Sequence, residues 1–394
     1  MPFLAGTGYS MNPDPIAAVR EAAKRAQERS GLARADLALL FASTSHAQQY
    51  PALAAALREQ AGVSQVVGCS AHGVLTEERE IESGICLAVM LARLDGVSVR
   101  PFLTEVTPTG GDEFLRGLRE AVARPLDAPA SGDSLAVLFT DIFHLHPAPL
   151  VAYLRDAEAL PVVGAAASGA PDLDRTYQWS GERSSTRGVS GLSVHGATVT
   201  IRVAQGCKPI GEPGVITACD RNVVMRIGSR TAVEALRAAL ATLPPDDAPY
   251  PLSNLFAGLA MDPRKQLLER GDFLVRNIIG LDQDSGGLAV AERVREGQTL
   301  QFQLRSPMAA HQDMRQMVGE LAQRVSGRSP ALGLYFDCMG RGEGLYGIPS
   351  HDISAIKERF PKLPVVGFFG NAEFAPVGAT NFVHNYTGVL ALLS

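Results

Sequence analysis

The chain has 394 residues, 46% of them apolar and 20% charged, with a net charge of −5 and a pI near 5.9. That is an ordinary globular composition, and it leaves no basic footprint for nucleic acid or an anionic membrane surface. No uncharged apolar run reaches about eighteen residues, so no membrane span is expected, and the length suggests two domains.

The N-terminus, MPFLAGTGYSMNPDP, has no basic stretch and no long apolar core, so no signal peptide is expected. Pro15 to Ser30 reads as a helix, with Asn12 and Asp14 near its start and Gly31 as its stop. An apolar strand, Leu37 to His46, then leads through a helix at Pro51 to Ala61 into QVVGCSAHG, Gln65 to Gly73. Leu53 and Leu57, one turn apart, mark the buried face of that helix. The same strand-to-Val-Val-Gly pattern returns at Leu135 to His144 with PVVGAAASG, Pro161 to Gly169. It returns again at Leu332 to Gly342 with PVVGFFGNAE, Pro364 to Glu373. There the helix is Ser350 to Phe360, with Ile353 and Ile356 inward. Each pass has the length of a β-α-β unit.

A hairpin is predicted after each of the first two passes and after the segment FLVRNIIGLDQDSG. Gly84 to Leu94 and Val97 to Leu103 flank Asp95-Gly96, and Gly188 to Val194 and Thr198 to Val203 flank His195-Gly196. A looser one joins Gly287–Arg293 to Thr299–Arg305. NLFAGLAMD (Asn254 to Asp262) with FLVRNIIGLDQDSG resembles a diverged fourth copy. The Pro/Gly turn in Gly206 to Asp220 suggests a division into domains 1–205 and 206–394, two copies each; the Pro/Asp run Leu243 to Pro251 is a further loop. The fold class expected is α/β, mixed α+β: internally duplicated β-α-β plus β-hairpin units forming mixed sheets flanked by helices.

The ends of such strands leave a crevice for a ligand. DCMGRGEGLYG, Asp337 to Gly347, supplies glycines whose amides can meet an anion. Gly342 to Gly347 matches G-x-G-x-x-G, but no acid ends the following strand, which disfavours a dinucleotide site. Arg341 and Glu343 lie on this loop, Asn371 and Glu373 on the loop after the next strand, and His384 and Asn385 on the last. If the loops converge, Arg341 can fork a carboxylate while Glu373 receives an ammonium, which suits a zwitterion such as an amino acid. The alternative is an Arg341–Glu373 salt bridge.

The five cysteines are scattered and form no Cys-x-x-Cys pair, as expected of reduced thiols in a cytoplasmic chain. Cys338 with His384 and Glu373, or Cys69 with His72 beside Ser70, has the residue types of a thiol nucleophile; a buried structural thiol is the alternative for both. His144 and His146 flank Leu145 and could hold a metal, without a third ligand nearby.

VAQGCKPIG (Val203 to Gly211), FDCMGRGEGLYG and GFFGNAEFAPVG…NFVHNYTGVLAL (Gly367 to Leu392) resemble the FIST family, as does the Gly-Cys-Ser turn at Gly68 to Ser70. The resemblance covers nearly the whole chain as an N-terminal and a C-terminal FIST domain in tandem. It implies a stand-alone, non-enzymatic intracellular sensor for a small ligand, with amino acids suggested, acting through a separate signalling partner such as a histidine kinase or cyclase. It also implies haem as an alternative ligand, through His384 or His72, in nitric oxide sensing. Two departures from the family pattern are Val74 after Gly73, and Asn371-Ala372 before Glu373. A thiol acyl or amide hydrolase using Cys338 is the enzymatic alternative.

Overall fold

The computed structural model describes residues 3–106, 111–123, 128, 132–158, 160–169, 174–244, 252–262, 264–265 and 267–394. The chain divides into two compact units. The first comprises Met1–Val203, Met314–Val383 and Thr387–Ser394; the second comprises Ala204–Asp313 with His384–Tyr386.

The first unit is one structural repeat written three times. The first repeat runs β1 (Phe3–Ser10), α1 (Pro15–Ser30), β2 (Leu37–Ser43), α2 (Thr44–Ala47), α3 (Tyr50–Ala61), β3 (Gln65–Ala71), β4 (Val74–Thr76), β5 (Arg79–Ile81) and β6 (Leu87–Leu94). The second runs β7 (Ser98–Glu105), α4 (Gly111–Val122), β8 (Asp133–Thr140), α5 (Pro147–Glu158), β9 (Val162–Ala166), β10 (Gln178–Ser180), β11 (Arg183–Ser185) and β12 (Gly188–Ala197). The third opens with β13 (Val199–Gln205) and is then interrupted by β14 (Cys207–Asp220), β15 (Val223–Ile227), β16 (Arg230–Thr231), α6 (Ala232–Leu240), β17 (Leu255–Ala260), β18 (Phe273–Leu281), β19 (Leu288–Val290) and β20 (Thr299–Arg305). It resumes as α7 (Pro307–Arg324), β21 (Leu332–Cys338), α8 (Glu343–Tyr346), α9 (His351–Arg359), β22 (Val365–Gly370), β23 (Glu373–Val377), β24 (Thr380–His384) and β25 (Thr387–Leu393).

The expected β-α-β units are all present: β2 pairs parallel to β3, β8 to β9 and β21 to β22. The helices follow their sequence cues. Asp14 caps α1 by accepting the Ala17 amide, and Gly31 ends it at φ +68°. Leu53, Leu57, Ile353 and Ile356 are buried.

The repeated Val-Val-Gly has a steric cause. A Cβ at Gly68, Gly164 or Gly367 would lie 1.8, 2.0 or 1.6 Å from the carbonyl oxygen of Leu40, Leu138 or Tyr335, on the neighbouring parallel strand. Only glycine fits where the strands approach so closely.

Each six-stranded sheet borrows its hairpin from another repeat: the orders are β1-β6-β2-β3-β10-β11, β24-β23-β9-β8-β12-β7 and β13-β25-β21-β22-β4-β5. The first repeat's hairpin thus edges the third sheet, the second repeat's the first, and the third repeat's the second. Three equivalent bonds seal the exchange. Ser70 N donates to Tyr177 O at 2.8 Å, Ala166 N to Ala372 O at 2.8 Å and Phe369 N to Gly73 O at 3.0 Å. The sheets share one apolar core in which Phe41, Phe139 and Phe336 occupy the same register of β2, β8 and β21. Phe139 meets Phe41 at 5.2 Å and Phe336 at 6.0 Å between ring centroids.

Two expectations need correction. The hairpins lie at β4–β5 and β10–β11, with β23–β24 as their third-repeat counterpart, not where the Asp-Gly and His-Gly turns predict them. The Asp95-Gly96 turn forms, with Gly96 at φ +80°, but β6 is already flanked by β1 and β2, so β7 joins another sheet. For the same reason β12 does not pair with β13, nor β19 with β20. The supposed fourth copy is no β-α-β unit either, because β17 pairs antiparallel to β18. In the second unit β14, β20, β17, β18, β19 and β15 follow one another, and β14 also pairs with β15, closing an antiparallel barrel. Its core includes Ile216, Leu236, Ala257, Leu288 and Phe302. Of the Leu243–Pro251 loop, residues 245–251 lie outside the described residues.

Candidate functional site

Strand ends from all three repeats meet in the first unit. His72, Ser168 and Asn371 hold equivalent positions after β3, β9 and β22. Ser168 Oγ accepts the His72 amide at 2.8 Å and donates to Phe369 O, while Asn371 Nδ2 donates to Ala167 O at 2.8 Å. Ser70 Oγ donates to Ser168 O at 2.9 Å and accepts the Tyr177 amide at 3.0 Å.

Beside this junction the third repeat buries an ionic cluster. Asp337 sits at the end of β21, and the turn after it, closed by Arg341 N to Cys338 O at 2.9 Å, folds Arg341 back over the strand. Gly342, at φ +67°, starts α8, and Gly347, at φ +72°, ends it. Asp352 follows on the first turn of α9. The Arg341 guanidinium, fully buried, contacts Asp337 Oδ1 at 2.8 Å and Asp352 Oδ2 at 2.7 Å. Its Nη2 also donates to Tyr346 OH at 2.6 Å. Tyr335 OH donates to Asp352 Oδ2 at 2.7 Å, and His351 Nδ1 lies 2.9 Å from Asp352 Oδ1. Tyr346 stacks on the His351 ring at 3.6 Å. From the first repeat's hairpin Glu80 arrives, its Oε1 accepting the Ile353 amide at 2.8 Å. Glu373, on β23, accepts Thr387 Oγ1 at 2.9 Å.

Four buried carboxyls therefore surround one guanidinium. Burial raises all of them, but Arg341, with hydrogen bonds from His351 and Tyr335, brings Asp352 far below the usual carboxylate range. Asp337 goes the other way: burial and then the Asp352 charge push it well above its ordinary value against the pull of Arg341. Burial, with Asp352 adding repulsion, pushes Glu80 up to about 8. Burial likewise pushes Glu373 up to about 8, against hydrogen bonds from Thr387. Asp352 carries the charge beside Arg341, and Glu80 and Glu373, both pushed up to about 8, keep their protons near neutrality. Glu80 Oε2, Asp337 Oδ2, Arg341 Nη1 and Glu373 Oε1 are buried and make no hydrogen bond within the protein. Each such atom costs about 1–3 kcal/mol unless something else satisfies it.

The predicted residues fall into place unevenly. Arg341 is not an open fork: Asp337 and Asp352 occupy it, and it makes no ion pair with Glu373. Cys338 and Glu373 do meet, their side chains sharing a hydrogen bond. His384 and Asn385 belong to the second unit, where Asn385 Oδ1 accepts Arg276 Nη1 at 3.2 Å. The Glu343 side chain is exposed, and its amide donates to Glu82 Oε1 at 2.7 Å. Cys69 points into the apolar core, where burial raises its thiol well above the ordinary value, so it forms no pair with His72. The Gly342–Gly347 motif forms a four-residue helix, too short for a dinucleotide cradle. His72 is half-buried, and its backbone amide is held by Ser168 Oγ.

Glu80, Asp337 and Asp352 escaped the sequence reading. Asp337 left one trace, a charge inside an otherwise apolar strand, LGLYFDC. Glu80 left none, because its hairpin is lent to another repeat's sheet.

Residues 36–230 match the family model described as FIST N domain, and residues 232–376 match that described as FIST C domain. The chain is similar to "Uncharacterized protein Rv0628c" of Mycobacterium tuberculosis (strain ATCC 25618 / H37Rv), 32% identical over 388 residues, 98% of each chain. It is also similar to "Uncharacterized protein Mb0898c" of Mycobacterium bovis (strain ATCC BAA-935 / AF2122/97), 30% identical over 389 residues, again 98% of each. FIST domains are associated with sensing in signal transduction. With both family models in tandem over one threefold-repeated sheet unit and its inserted barrel, the chain belongs to the FIST family.

Proposed function

We propose that this chain is a sensory protein that binds a small amine-bearing metabolite, amino acids among them, and passes the signal through a separate partner such as a histidine kinase or cyclase. One observation carries this reading: around Arg341 four buried carboxyls meet one buried guanidinium, and three of the four keep an oxygen with no hydrogen bond. Such a cluster costs folding energy, and a ligand that donates several hydrogen bonds recovers it. Glu373 receives the ammonium on its unused Oε1, and the arriving positive charge favours loss of the proton that burial makes its carboxyl keep. Arg341 shapes the loop rather than gripping the ligand.

Thermal unfolding with amino acids, simple amines and the matching 2-oxo acids tests it. The amine-bearing compounds are expected to raise Tm, by the equivalent of about 2.7 kcal/mol at a hundredfold excess over Kd. The 2-oxo acids are expected to be silent, and Glu373→Gln to abolish the shift. Equal shifts with the 2-oxo acids would refute the amine; no shift with any compound would refute the sensor reading.

A further inference from the structure

Asp141 follows β8 and is completely buried, and three of the four contacts of its carboxyl go to the short loop that follows it. Its Oδ1 accepts the Phe143 amide at 3.2 Å and Thr176 Oγ1 at 3.0 Å. Its Oδ2 accepts the His144 amide at 2.7 Å and lies 3.0 Å from His144 Nδ1. Both carboxyl oxygens already accept from N–H and O–H donors, so Nδ1 is placed to donate to Oδ2 and Nε2 keeps its lone pair. The His144 side chain is 33% exposed beside a fully buried Asp141. A buried acid that fixes one ring nitrogen and leaves the other outward is how proteins make imidazole a nucleophile.

The repeat does not require this pair. The positions equivalent to Asp141 are Ser43 and Cys338. Two cations lie next in sequence to residues that hold Asp141. Arg175 precedes Thr176, and Arg187 precedes Gly188, whose carbonyl accepts the Asp141 amide at 2.9 Å; both arginines are exposed. Arg175 is only loosely engaged, 3.7 Å from the exposed Asp174. Among the described residues no group of three or more His, Cys, Asp or Glu is placed to hold a metal.

We propose that His144 is a phosphoryl acceptor, taking the group on Nε2 from a donor with a P–N bond, the bond found in phosphoramidate and in phosphohistidine. The Nε2 lone pair forms the new N–P bond as the donor's P–N bond breaks, and the leaving nitrogen departs with the proton it already carries. The ring becomes cationic, and Asp141 stabilises it through Nδ1–H as it would an imidazolium.

Phosphoramidate itself is the probe, read by intact mass and by peptide mapping under alkaline conditions. His144 is expected to label about 10-fold faster than the exposed His146. His144→Ala, which removes an exposed side chain and leaves the fold intact by circular dichroism, is expected to abolish the fast phase, and His146→Ala to preserve it. Asp141→Asn is expected to slow it by about 10-fold or more. If His144 labels no faster than His146, or the fast phase survives His144→Ala, Asp141 and His144 do no more than close a turn. Should Asp141→Asn fail to fold, the wild-type comparison of the two histidines decides.

Discussion

Glu80 Oε1 accepts the backbone N–H of Ile353 at 2.8 Å, a bond between residues 273 positions apart. It exists because the first repeat lends its hairpin to the third repeat's sheet, where β4 pairs antiparallel to β22. The hairpin thereby carries a carboxyl to the start of α9, beside Asp352. Burying one acid against another ties the stability of this junction to protonation.

The sign follows from the raised values. In the unfolded chain Glu80 and Glu373 would titrate near about 4.3, whereas in the fold both are pushed up to about 8. Between those limits the native state holds more protons, so stability is expected to fall as pH rises from about 5 to 8 and to level off above. Glu80→Gln keeps an acceptor for Ile353 and removes one titration. It is expected to flatten the slope and raise Tm at pH 8. Urea unfolding at stepped pH checks both.

Arg341→Ala leaves Asp352 and Asp337 without their cation in a site that water does not reach. A loss of about 3–5 kcal/mol is expected, the usual cost of breaking a buried ion pair on one side. Denaturant unfolding measures it. A variant as stable as wild type would show that the acids re-protonate freely and that the pair contributes little.

Gly367→Ala puts a methyl 1.6 Å from the Tyr335 carbonyl, inside a parallel strand pair. The strands must part, and a loss above about 3 kcal/mol or insoluble protein is expected. Gly344→Ala is the control. It lies in α8 with nothing within 4 Å of the new carbon, and a gain of a few tenths to about 1 kcal/mol is expected.

Thiol titration with an aromatic disulfide under native conditions separates the cysteines. Cys69, Cys86, Cys207 and Cys338 are buried, and Cys219 is half-buried. Burial pushes the Cys86 thiol up to about 12. Cys219 is expected to react first, and the other four only as the protein unfolds. Rapid, selective labelling of Cys338 at neutral pH would revive the thiol-enzyme alternative.

Local chemistry was legible in the residues themselves. Asp14, Pro15 and Gly31 bound α1 because caps act within a turn of the chain. Val-Val-Gly marked the second parallel strand three times, because the glycine answers a contact that every copy repeats. The strand-end loops, with Arg341 and Glu373 among them, were found for the same reason. Tertiary structure alone decided which strand neighbours which. Asp95-Gly96 turns the chain as its sequence dictates, yet its two strands part, because β6 had already filled both edges. Arg341 changed from ligand fork to buried partner because Asp352, eleven residues on, and Glu80, from another repeat, converge on it. A turn or cap is set by neighbours in sequence, whereas a buried charge is defined by whatever the whole fold brings within a few ångströms of it.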